Sequence, residues 1–356
     1  ESMAQNPIFW SEKTDDLEKT QNITGNLYTQ IDVPFVKGLS YRLNYSNTYN
    51  WYKHFVYSPS YMKEDEKVVA KGTKEYSENY NWLVENIVKY QKHFLDIHDI
   101  DITFLFSRDH YNNDYSKMDN SDFFSDILGY NKLELGKNPT VASSAKESNG
   151  LSYMGRINYR LMDRYLLTLL ARRDGYSAFG KEKKWGTFPS IAVAWILSEE
   201  VFMKRISWLN NLKIRFSYSE TGNQAIAPYS SLAQMAQNQY VFGEGSSSFN
   251  GIYNSAMGNN DLTWETTKSA NVGIDFSVLG SRLSGSLEYY DLKTKDLLMR
   301  RSIPSMTGYN SVYTNLGGIS NKGLELTLNS VNISNRDFEW SSTLTLSTNK
   351  NKITSL

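Results

Sequence analysis

Cysteine is absent from this 356-residue chain, and that one absence removes a disulfide framework, a thiolate metal site and a cysteine nucleophile. Histidine is scarce: His54, His93, His98 and His110 stand at no spacing that metal ligation uses, so no zinc centre is expected. Net charge is missing too, because 38 Lys and Arg balance 38 Asp and Glu. That balance leaves no electrostatic footprint for nucleic acid and no basic tract for an anionic surface. No run approaches the roughly 18 apolar residues that a membrane helix needs. Residues 1–20 are polar with no signal-peptide core, and the opening ESMAQNPIFW reads as the middle of something, so a mature or truncated chain is expected. Together these absences exclude helical membrane proteins and leave membrane barrels open. Proline, at seven residues, is rare enough for long uninterrupted ladders.

Enzyme motifs are missing as well. There is no G-x-S-x-G elbow, no phosphate loop and no H-E-x-x-H pair, so no catalytic residue, cofactor or metal is assigned. Two carboxylates assembled by the fold, as glycosidases use, would leave no such mark. The run DNSDFFSD brings Asp119, Asp122 and Asp126 close in sequence. Calcium loops, however, need ligands at alternate positions, a central glycine and a terminal Glu, so solvated loop acid is the expected role.

What the chain does have is aromatic side chains, 14% of the total, with 25 tyrosines. Tyrosine suits strands and the boundary between apolar and wet phases, where the ring is buried and the hydroxyl hydrated. Strict period-two alternation recurs, and the two faces differ in chemistry. From 39 to 48 one face is Leu39, Tyr41, Leu43 and Tyr45, the other Ser40, Arg42, Asn44 and Ser46. From 212 to 219 the faces are Leu212, Ile214, Phe216 and Tyr218 against Lys213, Arg215, Ser217 and Ser219. Residues 269–278, 283–289 and 323–329 repeat the pattern, placing Asp275, Glu288 and Glu325 on polar faces.

Alternation alone does not separate a β-sandwich from a membrane barrel. Length helps: sandwich strands average about five or six residues, whereas tilted membrane strands need about nine to eleven. Segments 39–49, 98–108, 151–161, 164–174, 268–278 and 337–348 are of the longer kind. The connections alternate as well. Short links are expected near Gly38, His98, Asp163, Gly280 and Asn335, and long polar ones at 50–81, 111–150, 175–187, 220–267 and 294–319. Outer-membrane barrels segregate short periplasmic turns from long outward loops in this way. One junction differs: SEEVFMKRISWLNN predicts a short helix with Ser198 as N-cap and Glu199 and Glu200 in the first turn. About twelve strands result, and since an open strip has unpaired edges, further strands or a partner are expected. The competing reading is a soluble or surface-attached carbohydrate-binding β-protein, including a glycoside hydrolase, whose apolar faces pack on one another.

Five blocks carry a family resemblance: GRINYRLMDRYLLTLLARRDG, KKWGTFPSIAVAWILSEEVF, LKIRFSYSETGNQ, LTWETTKSANVGIDF followed by LEYYDLKTKDLL, and GYNSVYTNLGGISNKGLELTL leading to FEWSSTLTLSTNKNKI. In order and spacing they resemble the SusC/RagA-type TonB-dependent transporters of the Bacteroidota outer membrane. Residues 20–110 fit the preceding barrel region more loosely, and Tyr176 and Ser177 stand where the family has two small hydroxyl residues. The resemblance implies an all-β fold, an antiparallel up-and-down transmembrane barrel of about 22 strands, of which this chain would hold an interior slice. Neither the family's plug domain nor its closing strands are found, so residues 1–356 are expected to be one partial barrel domain. It further implies uptake of a bulky nutrient, a glycan oligosaccharide or a peptide, with a SusD-like surface lipoprotein, contact with membrane lipid, and energy from TonB through the plug. A dimer of transporter–lipoprotein pairs is among the assemblies it allows.

Two sets of candidate contact residues follow. Trp51, Tyr52, Phe55 and Tyr57, and then Tyr111, Tyr115, Phe123 and Phe124, cluster in the expected outward loops. They serve either as stacking platforms for sugar rings and clamps on a peptide, or as loop packing and interface girdle. Arg42, Arg156, Arg160, Lys213, Arg215, Asp275, Glu288 and Glu325 fall on faces that a barrel turns toward its lumen. They touch substrate, or pair with the plug and with neighbouring strands.

Overall fold

The computed structural model describes residues 11–63, 66–241 and 248–356; the opening decapeptide lies outside them. In chain order the strands are β1 (Asp15–Asp32), β2 (Leu39–Ser58), β3 (Tyr61–Lys63), β4 (Glu66–Val68), β5 (Lys71–Phe94), β6 (His98–Ser121), β7 (Thr140–Leu161), β8 (Tyr165–Tyr176) and β9 (Trp185–Ile196). They continue with β10 (Leu209–Asn223), β11 (Gln234–Val241), β12 (Ser248–Ala256), β13 (Glu265–Val278), β14 (Leu283–Lys295), β15 (Leu298–Ser302), β16 (Ser311–Asn315), β17 (Gly318–Ser334) and β18 (Glu339–Ser355). Twelve of them form one antiparallel sheet in chain order, from β1 through β2, β5 to β10, β13, β14 and β17 to β18. The other six make three two-stranded hairpins inside the long connections.

Connection lengths alternate as expected. Short turns at 95–97, 162–164 and 279–282 alternate along the chain with long excursions at 122–139, 177–184, 224–264 and 296–317. The short turns are tight because consecutive residues adopt left-handed backbone, Leu95 and Asp96 at φ 54° each, and Met162 and Asp163 at 53° and 56°. That geometry matches the twist of the flanking strands. At Gly38 (φ 89°) a Cβ would sit 1.9 Å from the Gln91 carbonyl oxygen, so glycine is required where the first short turn lies against β5.

Within the sheet, register sorts the side chains as the alternation predicted. Ile214, Ile274, Leu287, Leu326 and Leu346 share one row across β10, β13, β14, β17 and β18, and Phe216, Val272, Tyr289 and Leu324 share the next. These side chains are not a folded interior: Val272 is 45% exposed, Leu324 43% and Leu346 53%. Aromatic pairs close the band at both ends, Tyr165 stacked on Trp195 and Tyr153 on Trp185. From Trp185 to Trp195 the strand climbs about 33 Å, or about 25 Å at a 40° tilt, the height of the apolar band of an outer-membrane barrel.

The chain divides into two compact units. Unit 1 comprises Glu1–Tyr28, Asn44–Val84 and Arg108–Asn149; unit 2 comprises Thr29–Leu43, Glu85–Ser107 and Gly150–Leu356. Each has a small buried cluster among its long connections. In unit 2 Phe179, Leu262 and Trp264 pack with Ala178, Phe188 and Ile226. In unit 1 Tyr57, Ala70 and Phe123 pack with Tyr130, Leu133 and Leu135.

Two expectations change. The outward loops expected at 50–81 and 111–150 are mostly strand, since β2 runs to Ser58, β5 begins at Lys71, β6 ends at Ser121 and β7 begins at Thr140. Backbone ladders need no apolar side chains, so polarity marked exposure to water on both faces and not loss of pairing. The expected helix after Trp195 is a single 3₁₀ turn, Leu197–Glu199, preceded by Ile196 and without a side-chain cap. Ser198 Oγ donates instead to Asn211 Oδ1 at 3.3 Å.

Candidate functional site

In unit 2 the polar face carries an ion network. Arg215 Nε donates to both oxygens of Asp275 at 3.3 and 3.2 Å, its Nη2 donates to Glu288, and Lys213 Nζ reaches Asp275 Oδ2 at 3.1 Å. Gly273 lies opposite Arg215, and a Cβ there would come within 2.6 Å of the guanidinium carbon, so the missing side chain is the space the guanidinium fills. Glu325 stands directly opposite Glu288 in the ladder and is exposed. Nearer the short turns Arg160 grips Asp99 through Nε (3.0 Å) and Nη2 (2.8 Å), with His93 Nδ1 2.7 Å from the same carboxylate. Arg156 Nη2 donates to Thr103 Oγ1 at 3.5 Å, and Arg42 is half-buried on β2. The predicted charged set therefore divides into local groups, with Lys213, Arg215, Asp275 and Glu288 brought together and Arg42, Arg156 and Arg160 placed on other strands.

At the short-turn end Glu200 accepts from Tyr165 OH at 2.6 Å, from Trp195 Nε1 at 3.0 Å and from Arg164 Nη1 at 3.2 Å. These donors, Tyr165 first, hold its carboxyl below the ordinary glutamate range. Glu200, expected in the first turn of a helix, is thus an anchor for the aromatic rim.

Unit 1 carries a chain of neutral groups beside ion pairs such as Lys117 with Asp119 at 3.1 Å. Asn113 Nδ2 donates to Asn79 Oδ1 at 2.9 Å and to Ser77 Oγ at 3.0 Å; Asn79 Nδ2 donates to Asn50 Oδ1 at 3.0 Å; Asn50 Nδ2 donates to Asn22. Four amides on β6, β5, β2 and β1 form one chain, and Tyr111 OH joins it at Asn79 Oδ1 (3.2 Å). By strand parity Tyr52 shares the Asn50 face and Tyr115 the Asn113 face. Burial first, then Glu18 and Glu75, push the Tyr52 phenol up; burial first, then Glu75, does the same for Tyr115, so both remain donors at neutral pH.

The remaining candidate aromatics lie on the other face of unit 1. Trp51 stacks on Tyr49 at 4.0 Å, and Phe55 packs edge-on against Tyr76. Tyr57 (3% exposed) meets Phe123 (8%) at 5.1 Å in the core, and its hydroxyl donates to Asp126 Oδ1 at 2.7 Å. These two pack loop 122–139 and offer no surface, while Phe124 is 93% exposed. Asp119, Asp122 and Asp126 each take separate partners, Thr73, Lys137 and Tyr57. Among the described residues no group of His, Asp and Glu side chains converges to hold a metal.

The long connections of unit 2 are tied together. Trp264 Nε1 donates to the Lys184 carbonyl at 3.0 Å, Gly180 N to the Leu262 carbonyl at 2.9 Å, and Asn315 brackets Thr263, accepting from its N and donating to its O. Loops 177–184, 224–264 and 296–317 thus form one platform.

The sheet's two-faced chemistry and segregated connections are those of an outer-membrane barrel, and comparison with known proteins decides the family. Residues 4–354 match the family described as TonB dependent receptor-like, beta-barrel. The chain belongs to this family. Among its relatives is TonB-dependent receptor P3 of Formosa agariphila, 33% identical over 99% of this chain and 35% of that protein. TonB-dependent receptor SusC of Bacteroides thetaiotaomicron is 38% identical over 58% of this chain and 21% of its own length. The fold matches the structure of the RagAB peptide transporter with TM-score 0.88 and 23% identity, covering 98% of this chain and 38% of that one. The chain thus spans about a third of the length of Formosa agariphila receptor P3. As a SusC/RagA-like barrel of the TonB-dependent receptors, it is a protein of the bacterial outer membrane.

Sequence reasoning missed the asparagine chain and Glu200. Asparagine carries no charge and belongs to no motif, and its role shows only when four strands are in register. The signal was present in the alternation, which continues beyond residue 49 through Trp51, Phe55 and Tyr57.

Proposed function

We propose that this chain forms part of the barrel of an outer-membrane importer for a bulky, hydrogen-bonding nutrient, a glycan oligosaccharide or a peptide. A SusD-like surface lipoprotein would deliver the cargo, and TonB, acting through a plug, would supply the energy; dimers of such transporter–lipoprotein pairs fit the same scheme. The observation that carries this reading is the chain of four amides with Tyr111 in unit 1, because uncharged donors and acceptors suit hydroxyl-rich or peptide-backbone cargo. The charged face of unit 2 answers itself, Arg215 against Asp275 and Glu288.

The test is uptake of a fluorescent oligosaccharide and a fluorescent peptide by cells carrying Asn79→Ala with Asn113→Ala. Loss of uptake of one cargo with the protein still present at the surface supports the reading; unchanged uptake of both overturns it. Loops 59–70, 122–139 and 224–264 are each, taken singly, a proposed lipoprotein contact, and deleting one without changing lipoprotein capture removes that loop from the proposal.

A further inference from the structure

β9 and β10 separate before they end. Their ladder runs from Ile196 opposite Lys213 to Ser190 opposite Ser219 and stops there. Each strand stays paired on its other side, β9 with β8 up to Trp185 opposite Gly175 and β10 with β13 up to Asn223 opposite Glu265. Continued toward the long connections, the register would set Pro189, Phe188, Thr187 and Gly186 against Glu220, Thr221, Gly222 and Asn223. The first residue past the last rung is a proline, which has no N–H to give a ladder. Both strands lie in the interior of the sheet, so this seam belongs to the wall itself.

Aromatic rings take the place of the missing rungs. Phe188, 7% exposed, is wedged where two side chains are absent: a Cβ on Gly186 would lie 2.4 Å from its Cζ, and a Cβ on Gly222 would lie 2.1 Å from the same atom. Glycine on both strands leaves the space that the ring fills. Trp264 meets Phe188 edge-on at 5.4 Å, and its indole N–H donates to the Lys184 carbonyl. Beside it Thr263 Oγ1 donates to the Lys183 carbonyl at 3.3 Å, and Gly180 N to the Leu262 carbonyl at 2.9 Å. Residues 177–184 lead into β9 and residues 259–264 lead into β13, the partner of β10, so these contacts bridge the seam. A zipped ladder parts only by losing backbone bonds rung after rung. A ring held between two glycines withdraws as a unit, and the wall has two discrete arrangements.

We propose that this seam is a gate in the barrel wall: Phe188 and Trp264 withdraw from between β9 and β10, residues 177–184 part from 259–264, and the outer mouth widens for a bulky cargo. The rungs from Ser190 and Ser219 downward stay closed and act as the hinge. The widening for cargo rests on the importer reading above; the movement does not.

The experiment uses the full-length protein in lipid vesicles, with spin labels at the exposed Lys181 and Asp261 across the seam and a second pair at Ala192 and Ser217 on a rung below it. Dipolar broadening between the labels is expected at both pairs in wild type. Phe188→Ala raises the unbroadened fraction at the upper pair by about tenfold or more and leaves the lower pair as it was. Gly222→Ala, whose methyl group claims the space of the ring, has the same effect and adds nothing when Phe188→Ala is already present. Broadening unaltered at the upper pair in both variants, its loss at both pairs together, or additive effects of the two substitutions overturns the proposal. A second measurement concerns transport: Lys183→Cys with Thr263→Cys, in a chain without cysteine, tethers the seam when oxidised. Uptake of the fluorescent cargo should fall about tenfold on oxidation and return with reductant, whereas uptake undiminished by the tether overturns the gate. Absence of uptake before oxidation counts against the importer reading and leaves the broadening result standing.

Discussion

In unit 2 one polar cluster is an ion network, Lys213 and Arg215 against Asp275 and Glu288; in unit 1 another is a chain of amides and a phenol, Asn22 through Asn113 with Tyr111, beside ion pairs such as Lys117 with Asp119. Ions on a sheet satisfy one another at short range and lose strength as salt rises. Amides bond to each other yet keep further donors and acceptors that carry no charge. On the function proposed above, the ion network holds the strand ladder in register and the amide chain meets cargo.

The loop platform of unit 2 gives the largest expected effect. Trp264→Ala removes a ring that packs on Phe179 and Phe188 and donates to Lys184, and should destabilise the platform by about 3 to 5 kcal/mol. Hydrogen exchange should show loops 177–184, 224–264 and 296–317 released together while the ladder stays protected; independent loosening of one loop would break the idea of a single platform. The matching change in unit 1, Tyr57→Phe, keeps the ring and removes only the bond to Asp126, so its effect in chemical unfolding should be about 1 kcal/mol.

The two polar faces separate next. Arg215→Met leaves Asp275 and Glu288 with Lys213 and Asn271 alone, and should destabilise refolded protein in lipid vesicles by about 2 kcal/mol, with partial recovery when Glu288→Gln is added. Asn113→Ala removes the hydrogen bonds from its amide to Asn79, Ser77 and the Glu78 carbonyl and should destabilise by about 1 to 2 kcal/mol, independently of salt, where the Arg215 effect shrinks as salt rises. Equal salt dependence of the two would erase the comparison.

The smallest effect is at Glu200. Its carboxyl sits below the ordinary range in the folded protein, so its contribution is present above the unfolded value near about 4.3 and is lost as pH falls through the lower folded value. Thermal melts of wild type and Glu200→Gln should therefore differ at pH 7 and converge in acid. A gap that persists below both values contradicts this.

Most of the strand ladder was legible in the sequence because alternation writes both faces at once, and the rows around Ile214, Val272 and Leu326 needed no further information. Strand ends were legible only where the outward face was greasy. Above that, β2 and β5 continue through Asn, Tyr and Ser residues whose polarity reads as loop, so Trp51, Tyr52 and Tyr111 were placed on excursions and not on strands. Burial was hidden for the same reason: Tyr57 and Phe123 become core only when loop 122–139 folds over β2.

The central claim is that the apolar rows meet acyl chains while the alternate residues meet water. Spin labels at Val272, Ile274 and Leu326, with companions at Asn271 and Ser217 on the other face, test it in reconstituted vesicles. The account predicts relaxation by lipid-dissolved oxygen at the first three positions and by a water-soluble nickel chelate at the last two. Chelate access at Val272, Ile274 and Leu326, or no access by either agent, would contradict it.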